Sequence, residues 1–407
     1  MRITVVTFGT TGDVAPLTGV GVRLAEDGHT VTIATHEQHR ALVEGCGLGF
    51  RVLPDLPVSA QADDSTLGSA RVYAQRMRAH APVLLETAME SARDADLLLA
   101  SHMMPVAYHV AECLGIPSMG LHLNAVEPTG EFQVMFARGR SLGPLVNRTL
   151  TRTVRALLLR PVLGAVNDLR RSHRLPELRT PAAIHREQAA RRWPVLHGFS
   201  PTVLPRPAHW RDELEVVGYW WPAEPGMWQP RQELRDFLDA GPPPVFLDFG
   251  PAEVGSVDVD LRAVLDAAVR RNGLRAVVQA GWSDASFRDD EVYSVTQVSH
   301  SWLLPRTRAA VHHAGAGTTA AALRAGVPSM AVPSMLDQFF WARRAARLGV
   351  GPGHLPLQDL NPGQLADRVR RLTTEEHYAG RAREVARRIA GEDGAGAVVA
   401  RVKELQR

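Results

Sequence analysis

Strand and helix patterns alternate from the first residues of the chain. Residues 2–8, RITVVTF, form an apolar run rich in β-branched residues, and a glycine-containing turn follows. Residues 14–28 then carry apolar side chains at helical spacing and end in glycine, and residues 30–35, TVTIAT, return to the strand pattern. This order predicts a βαβ unit that opens a parallel sheet.

The alternation continues and then begins a second time. Strand patterns at residues 96–101 and 116–123 flank a helical pattern at 105–115. After a segment dense in Pro, Gly and Trp, residues 242–250, PPPVFLDFG, begin another series of strands and helices. We therefore predict an α/β fold of two doubly wound, Rossmann-like domains that face each other across a ligand-binding cleft.

Chain length and composition suggest the domain boundaries. A chain of 407 residues can bury more than one core, and a segment rich in Pro, Gly and Trp is typical of a linker. We predict a first domain at residues 1–205, a linker at 206–229, a second domain at 230–385 and a C-terminal helix at 386–407. Residues 127–192 are rich in Arg, Leu and Ala, which suits helices over a cleft, ordinary helix packing or a membrane-surface face.

Charge and cysteine content narrow the range of partners and compartments. The net charge of +3 comes from arginines spread along the chain, so we expect no nucleic-acid partner, while small anions stay possible. The two cysteines, Cys46 and Cys113, cannot build a disulfide framework. The N-terminus lacks a signal-peptide layout, and no apolar window reaches the roughly 20 residues of a spanning helix. We expect a cytoplasmic protein without stable membrane insertion.

One glycine-rich turn suggests an anion site. Residues 311–328, VHHAGAGTTAAALRAGVP, read as strand, turn and helix, with Thr318 and Thr319 placed to cap the helix start. A helix N-terminus flanked by glycines can bind a phosphate, and His313 could add a charge-assisted hydrogen bond. A small-residue turn that binds nothing has the same pattern.

A similar turn, FGTTGDVAP at residues 8–16, follows the first strand. Asp13 lies at its end, where a carboxylate can cap a helix or project into the cleft as a general base. The two roles are compatible, and the sequence leaves both open.

These turns, together with residues 312–352 and the strand VVGYW at 216–220, resemble the UDP-glycosyltransferase superfamily of the GT-B fold. Within it they are most similar to bacterial natural-product glycosyltransferases that decorate glycopeptides and polyketides, and to sterol glucosyltransferases. The resemblance covers nearly the whole chain and implies a C-terminal helix that returns to the N-terminal domain. It also implies a first domain that binds the acceptor and a second domain that binds the donor.

The resemblance assigns donor-binding roles to residues in both domains. They are Thr10, Thr11, Gly12, Gly250, Val298, Trp302, His313, Gly315, Ala316, Gly317, Thr318, Asp337 and Gln338. In relatives the histidine and turn amides contact the diphosphate, and the acidic-Gln pair holds sugar hydroxyls. Val298 and Trp302 fall in the segment that lines the nucleoside pocket. Asp337 would alternatively be a helix N-cap, and Trp302 would alternatively fill the core.

The implied reaction is an inverting transfer of a hexose or deoxyhexose, without a metal or other cofactor. Asp13 would act as the catalytic base, and His313 would stabilise the departing nucleoside diphosphate. The donor would be a UDP- or dTDP-sugar, and the acceptor a small hydrophobic aglycone of antibiotic biosynthesis. We expect His102, His122 and Asn124 to bind the acceptor.

One position departs from the family pattern. Pro251 stands where relatives usually carry a serine that meets the donor phosphates, so a hydroxyl and an N–H donor are lost. The departure suits an ordinary site that loses one or two hydrogen bonds, about 1 to 3 kcal/mol of binding, for which other donors compensate. It also suits an unusual donor, or a catalytically silent helper protein of the same fold. A lipid or sterol glycosyltransferase at the membrane surface is a further alternative. The aglycone, the sugar and the oligomeric state stay open.

Overall fold

Two parallel sheets organise the chain. The computed structural model describes residues 1–55, 66–104, 106–135, 141–224, 228–250, 261–279, 289–335 and 337–406. The strands of the first sheet are β1 (Arg2–Val6), β2 (Thr30–Thr35), β3 (Gly49–Val52), β4 (Leu97–Ser101), β5 (Ser118–His122), β6 (Val195–His197) and β7 (Leu214–Val216). Those of the second are β8 (Val245–Asp248), β9 (Ala276–Gln279), β10 (Val292–Val295), β11 (Ala309–His312) and β12 (Ser329–Ala331).

Helices connect the strands. In the first domain they are α1 (Thr11–Glu26), α2 (Arg40–Gly45), α3 (Thr66–Ser91), α4 (Ala107–Leu114), α5 (Pro144–Leu159), α6 (Leu163–Ser172) and α7 (Pro181–Ala190). The later ones are α8 (Gln232–Asp239), α9 (Leu261–Ala268), α10 (His300–Leu303), α11 (Ala316–Ala325), α12 (Gln338–Leu348), α13 (Pro362–Thr374), α14 (Glu376–Ala390) and α15 (Gly394–Leu405). None of the described helices is both long enough and apolar enough to cross a bilayer.

The strand orders are those of doubly wound folds. The first sheet runs β3-β2-β1-β4-β5-β6-β7 and the second β10-β9-β8-β11-β12, with every pairing between these strands parallel. Residues 97–100 of strand β4 are all apolar because both faces of the strand are covered. Leu97 and Leu99 join one core, while Leu98 and Ala100 join the other. The predicted fold of two Rossmann-like domains is confirmed.

The segment predicted as a linker contributes to the first sheet. Strand β7 lies within residues 206–229 and pairs with β6 from Val195↔Leu214 to His197↔Val216. A three-residue strand between Pro- and Trp-rich stretches has too few positions to show a period. The first sheet therefore extends further along the chain than the composition suggested.

The C-terminal helix returns to the first domain. Val398 and Val402 of α15 are buried in the same core as Leu17 of α1. Trp220 Nε1 donates a hydrogen bond to the Gly394 carbonyl at 3.1 Å, and a β-carbon at Gly394 would lie 2.5 Å from the Gly218 oxygen. Only glycine allows this close approach, which fixes the start of α15 against the segment after β7.

Aromatic contacts join the two domains beside the cleft. Phe132 and Phe340 lie with ring centroids 5.6 Å apart, and Phe199 and Trp341 lie 6.0 Å apart, both edge to face. Both partners from the second domain belong to α12. The first turn of this helix therefore lies at the junction of the domains.

Candidate active site

The ends of β8 and β11 build a His–Asp pair in which the Asp is buried and the His is partly buried. Asp248 ends β8 opposite His312 of the neighbouring strand β11. The next residue, His313, places its Nδ1 3.3 Å from Asp248 Oδ2, and its backbone N–H donates to the Asp248 carbonyl at 2.8 Å. Two contacts to one residue hold the His313 ring at the carboxyl edge of the second sheet.

Asp248 carries a negative charge in this pair. Burial raises the pKa of Asp248, but the hydrogen bond from His313 and the charges of the neighbouring histidines lower it by more. The net pKa of Asp248 is therefore below its usual value. Burial lowers the pKa of His300, and that of His312 to about 3, so both rings are neutral near pH 7. The carboxylate therefore favours a proton on His313 Nδ1.

A helix N-terminus lies directly beyond His313. Helix α11 begins at Ala316, with Gly315 as its N-cap and Ala314 in the left-handed region at φ +64°. A β-carbon at Gly315 would lie 2.5 Å from His313 Nε2, so a side chain there would displace the His313 ring. Gly317 is exposed, and a β-carbon there would meet nothing within 4 Å. First-turn N–H groups, which have no partner within a helix, are thus accessible here to an anion.

The predicted threonine caps are wrong. Thr318 and Thr319 lie inside the first turn of α11 and are buried, and Gly315 occupies the N-cap position instead. The sequence pattern placed the helix start two residues too late, because Ala and Gly at the true first positions do not mark a helix start. Thr318 can still contribute its backbone N–H, but its side chain faces the core.

The residues predicted for the nucleoside pocket differ in exposure. Val298 is buried in a core with Leu303 and Phe246, so its side chain supports the segment from inside. Trp302 of α10 is half-buried, and the Arg306 guanidinium lies 4.6 Å from its ring centroid. The half-exposed indole therefore has free surface on which a base can stack. Helix α10 lies next to the Asp248–His313 pair, because the ring of its His300 packs on Phe246 of β8.

Asp337 and Gln338 lie where α12 begins. Asp337 occupies the N-cap position but makes no capping hydrogen bond, and its Oδ2 instead accepts from Trp341 Nε1 at 3.1 Å. Gln338 Oε1 accepts from the Ser334 N–H at 2.8 Å and from the Ser334 hydroxyl at 3.0 Å. The Gln338 oxygen therefore shapes the preceding loop. Burial raises the pKa of Asp337 to about 6, and the negative charge of Asp13 contributes to the increase.

Asp13 lies at the facing edge of the first sheet. Its Oδ2 accepts hydrogen bonds from the Thr10 N–H at 2.8 Å and from the Thr10 hydroxyl at 3.0 Å. Gly9 has φ +125°, and a side chain there would collide with the Asp13 carboxylate. The carboxylate thus takes part in a capping box at the start of α1, while it stays only half-buried. The neighbouring Thr11 and Gly12 form the exposed first turn.

The predicted acceptor residues cluster next to Asp13. Burial lowers the pKa of His102, and the charge of Asp13 opposes part of that change. Asn124 Nδ2 lies 3.4 Å from His102 Nε2, and the His102 and His122 rings lie 6.1 Å apart. Within the described residues, His102 Nδ1, His122 Nδ1 and Asn124 Oδ1 are buried without a hydrogen-bond partner. The first domain therefore presents polar atoms whose bonding capacity is not used.

Two residues of these clusters were not predicted from the sequence. Asp248 holds His313, and His197 continues the acceptor-side cluster with its ring 5.5 Å from His122. Burial lowers the pKa of His197 to about 4, and that of His122 falls well below its usual range, so the cluster is uncharged. Both missed residues end a strand next to a predicted site residue, so a correct strand order would have found them.

Gly250 and Pro251 follow β8. Gly250 has φ +81°, and its N–H donates to Asp248 Oδ1 at 3.0 Å, so this N–H already has a partner in the chain. Pro251 lies outside the described residues.

A cluster with metal-ligand residues lies elsewhere in the first domain. In the described parts of the chain, His109, Glu112 and Glu187 bring ligand atoms within 4.8 Å of one another. The Arg170 guanidinium contacts all three, at 3.1 Å from His109 Nδ1, in an ion pair with Glu112 and at 3.3 Å from Glu187 Oε1. A buried cation of the chain already occupies this cluster, which we interpret as a structural ion-pair network.

Two known families match separate parts of the chain. Residues 3–130 match the Glycosyltransferase family 28 N-terminal domain. Residues 257–405 match the Erythromycin biosynthesis protein CIII-like, C-terminal domain. The first match includes Asp13 and the acceptor-side cluster as far as Asn124, and the second includes His313, α11 and Asp337.

Similar proteins extend over almost the whole chain. A sterol 3-beta-glucosyltransferase of Cryptococcus neoformans var. neoformans serotype D is 32% identical over 428 residues, covering 97% of this chain and 26% of that protein. The chain spans about a quarter of the length of such fungal relatives. An O-mycaminosyltylonolide 6-deoxyallosyltransferase of Streptomyces fradiae is 33% identical over 411 residues, covering 97% of this chain and 95% of that protein.

Solved structures share the fold. The crystal structure of the glycosyltransferase VinC in complex with dTDP superposes with a TM-score of 0.70 over 100% of both chains, at 20% sequence identity. Likeness at this identity establishes the architecture of two facing Rossmann-like domains.

Proposed function

The chain belongs to the nucleotide-sugar-dependent glycosyltransferases of the GT-B fold, and on that premise we propose its donor, acceptor and mechanism. It transfers a hexose or deoxyhexose from a UDP- or dTDP-linked donor to a hydroxyl of a small natural-product aglycone, with inversion at the anomeric carbon. One observation carries the proposal. Asp248 holds His313 at the N-terminus of α11, while Asp13 lies across the cleft close enough to raise the pKa of Asp337.

The second domain binds the donor in this proposal. The diphosphate accepts hydrogen bonds from His313 and from the first-turn N–H groups of α11, which also present the positive end of the helix dipole. Asp337 accepts hydrogen bonds from sugar hydroxyls, and the half-exposed Trp302 ring stacks on the base. The dTDP bound to VinC supports a diphosphate ligand for this architecture. UDP and dTDP differ at the base, where the described residues favour neither.

Asp13 activates the acceptor. Its carboxylate removes the proton of the acceptor hydroxyl as that oxygen attacks the anomeric carbon from the face opposite the diphosphate. The bond from the anomeric carbon to the diphosphate oxygen breaks, and the leaving group departs with the electron pair. His313 and the α11 amides stabilise the negative charge that develops on it. The proton ends on Asp13, and no metal has a role in this scheme.

The acceptor-side cluster supports an aglycone with oxygen functions. Neutral imidazoles and an amide offer both donors and acceptors to hydroxyl and carbonyl groups, and they carry no charge to attract an anion. The Streptomyces fradiae relative, which matches over nearly its whole length, is named for a tylonolide substrate. We therefore propose an oxygenated aglycone of antibiotic biosynthesis as the acceptor.

Product analysis tests this function. The full-length protein is incubated with UDP- and dTDP-hexoses and a set of macrolide and glycopeptide aglycones, and products are detected by mass spectrometry. We expect one donor class to give a mono-glycosylated product whose anomeric coupling, measured by NMR, is inverted relative to the donor. Nucleotide binding without transfer to any acceptor would support a catalytically silent protein. Absence of both would contradict the proposal.

A second candidate is transfer to a sterol or another lipid. The similarity to sterol 3-beta-glucosyltransferases is the observation that favours it. The same assay with ergosterol in detergent micelles, compared with a macrolide aglycone at equal concentration, separates the two acceptor classes. Transfer to the sterol alone would replace the aglycone proposed above.

A further inference from the structure

Helix α5 buries two polar side chains and exposes most of its large apolar ones. Asn147 and Thr151 are 3% and 7% exposed, whereas six large apolar residues at 142–158 are 38–79% exposed. These six are Leu142, Leu145, Val146, Leu150, Leu157 and Leu158. They are most of the large hydrophobic side chains that the described residues leave exposed. A helix that only packs on a soluble core has the opposite polarity, and a clustered apolar face of this kind marks an interaction site.

Hydrogen bonds fix this orientation. Asn147 Nδ2 donates to the Ser141 hydroxyl at 2.7 Å, and Asn147 Oδ1 accepts from the Leu142 N–H at 3.2 Å. About two turns further along the helix, Arg155 forms an ion pair with Glu127, and its guanidinium lies 3.0 Å from His185 Nδ1. Rotation of the helix to bury its leucines would break these contacts at both ends. The apolar face is therefore a stable feature of the surface.

Charges on the helix identify the kind of partner. Arg148, Arg152 and Arg160 are exposed, and α5 contains no Asp or Glu. Exposed leucines beside arginines on one helix are typical of segments that lie in the interface of an anionic bilayer. We propose that α5 is a peripheral membrane-binding surface for anionic lipid, formed by these six apolar residues and three arginines.

The same charges argue against a second copy of the chain as the occupant. In a two-fold pair of α5 helices, the arginines of one copy would face those of the other, with no carboxylate on either helix to compensate. Anionic headgroups supply the missing negative charge along the whole helix. A bilayer therefore satisfies both the apolar and the basic side chains of the surface.

The surface adjoins the predicted acceptor edge. Asn147 Nδ2 lies 3.4 Å from the Gly130 carbonyl, and Arg155 pairs with Glu127 in the segment that follows Asn124. Adsorption through α5 would bring this edge close to molecules dissolved in the membrane. That consequence rests on the proposed function, whereas the membrane binding itself does not.

Vesicle co-sedimentation tests the proposal with the full-length protein. The probes are vesicles of phosphatidylcholine alone and of equal parts phosphatidylcholine and phosphatidylglycerol. We expect binding to the anionic vesicles, weakened by salt, and a partition coefficient about tenfold or more lower for the Leu145→Gln/Leu157→Gln variant. Arg148→Gln should weaken binding about fivefold. Val52→Gln and Val83→Gln, at residues that are each 50% exposed elsewhere on the surface, are the matched controls and should bind like wild type.

Three results would overturn the proposal. They are no binding to anionic vesicles, equal loss in the valine controls, and a concentration-dependent dimer in light scattering that the leucine variant abolishes. The last would assign the surface to a second copy of the chain. Calorimetric titration of the same samples with UDP and dTDP distinguishes a failure of this proposal from a failure of the proposed function. A protein that binds no nucleotide would contradict the proposed function, but it would leave the vesicle result unchanged.

Discussion

The two edges of the cleft use similar residue types, but the fold holds them differently. At the second-domain edge, His313 is held by two contacts to Asp248 and packs over Gly315 at the start of α11. At the first-domain edge, polar atoms of His102 and His122 are buried without partners in the described residues. His313 is therefore positioned before a ligand binds, although His300 Nε2 and His312 Nε2 beside it are also buried without a partner in the described residues. The histidines of the first-domain edge leave bonding capacity unused and are not anchored in the same way.

This difference matches two kinds of ligand. The diphosphate is the same in every nucleotide sugar, so the fold can fix the hydrogen-bond donors that bind it. Preorganised groups of this kind stabilise a leaving group without rearranging. An acceptor varies from enzyme to enzyme, and uncharged imidazoles can donate to or accept from different oxygen groups. The comparison therefore predicts that substitutions at the two edges have effects of different kinds.

The largest effect is expected at Asp13. In Asp13→Asn the side-chain oxygen can still accept from Thr10, so the capping arrangement persists while the base is lost. We expect kcat to fall by about 10²- to 10⁴-fold, with the Kd for the nucleoside diphosphate unchanged. Steady-state kinetics and calorimetry measure the two quantities, and thermal melting serves as the control for folding. An unchanged kcat would mean that Asp13 acts only as a helix cap and not as the catalytic base.

A smaller effect is expected at Asp248. Asp248→Asn keeps an oxygen for the Gly250 N–H but removes the charge beside His313, so the ring loses its preferred protonation and orientation. We expect the Kd for the nucleoside diphosphate to rise about tenfold. Asp367→Asn, at an exposed pair with Arg370, is the matched control and should bind like wild type. Equal affinity in both variants would mean that Asp248 does not position His313.

The nucleotide sugar should bind with a pH dependence that comes from Asp337. Because burial raises the pKa of Asp337 to about 6, its carboxylate becomes protonated as the pH falls through that value and can accept fewer hydrogen bonds from sugar hydroxyls. We expect the affinity of wild type for the nucleotide sugar, relative to that of Asp337→Asn at the same pH, to fall about threefold to tenfold as the pH drops below this pKa. The sugar-linked diphosphate has no ionisation of its own in this range. A ratio of wild type to variant that does not change with pH would exclude this role.

The smallest effect concerns stability and compares one substitution at both edges. His122→Leu removes a neutral ring whose Nδ1 has no partner in the described structure, so we expect the free energy of unfolding to rise by about 1 kcal/mol. His312→Leu also removes a nitrogen without a partner in the described structure, Nε2, but it takes from the Ala314 N–H its acceptor, Nδ1 at 3.2 Å, and should be destabilising. Urea denaturation measures both. Equal changes at the two positions would remove the contrast between the edges.

The sequence predicted the strands and helices better than it predicted which residues lie next to each other in the fold. The repeated strand and helix patterns indicated both Rossmann-like domains, because fully covered parallel strands are apolar throughout. The short strand β7 was hidden in a Pro- and Trp-rich segment, and the start of α11 was misplaced because Ala316 and Gly317 do not signal a helix start. Asp248 and His313 are far apart in sequence, and only the pairing of β8 with β11 brings them together.

Helix α5 shows a further limit of prediction. Its periodicity indicated an amphipathic helix, but a period does not reveal which face is inside. The hydrogen bonds of Asn147 and the ion pair of Arg155 with Glu127 decide that question, and their partners lie in other segments of the chain. The three interpretations of residues 127–192 could therefore not be separated from the sequence.

The central claim is that His313, held by Asp248 at the start of α11, binds the donor diphosphate. Calorimetric titration of UDP and dTDP into wild type and His313→Ala tests it most directly, with the matching nucleoside as a ligand that lacks phosphate. The account predicts that at least one diphosphate binds wild type and that its Kd rises about tenfold or more in the variant, while nucleoside binding is unchanged. Equal affinity of wild type and variant for the diphosphate would contradict it.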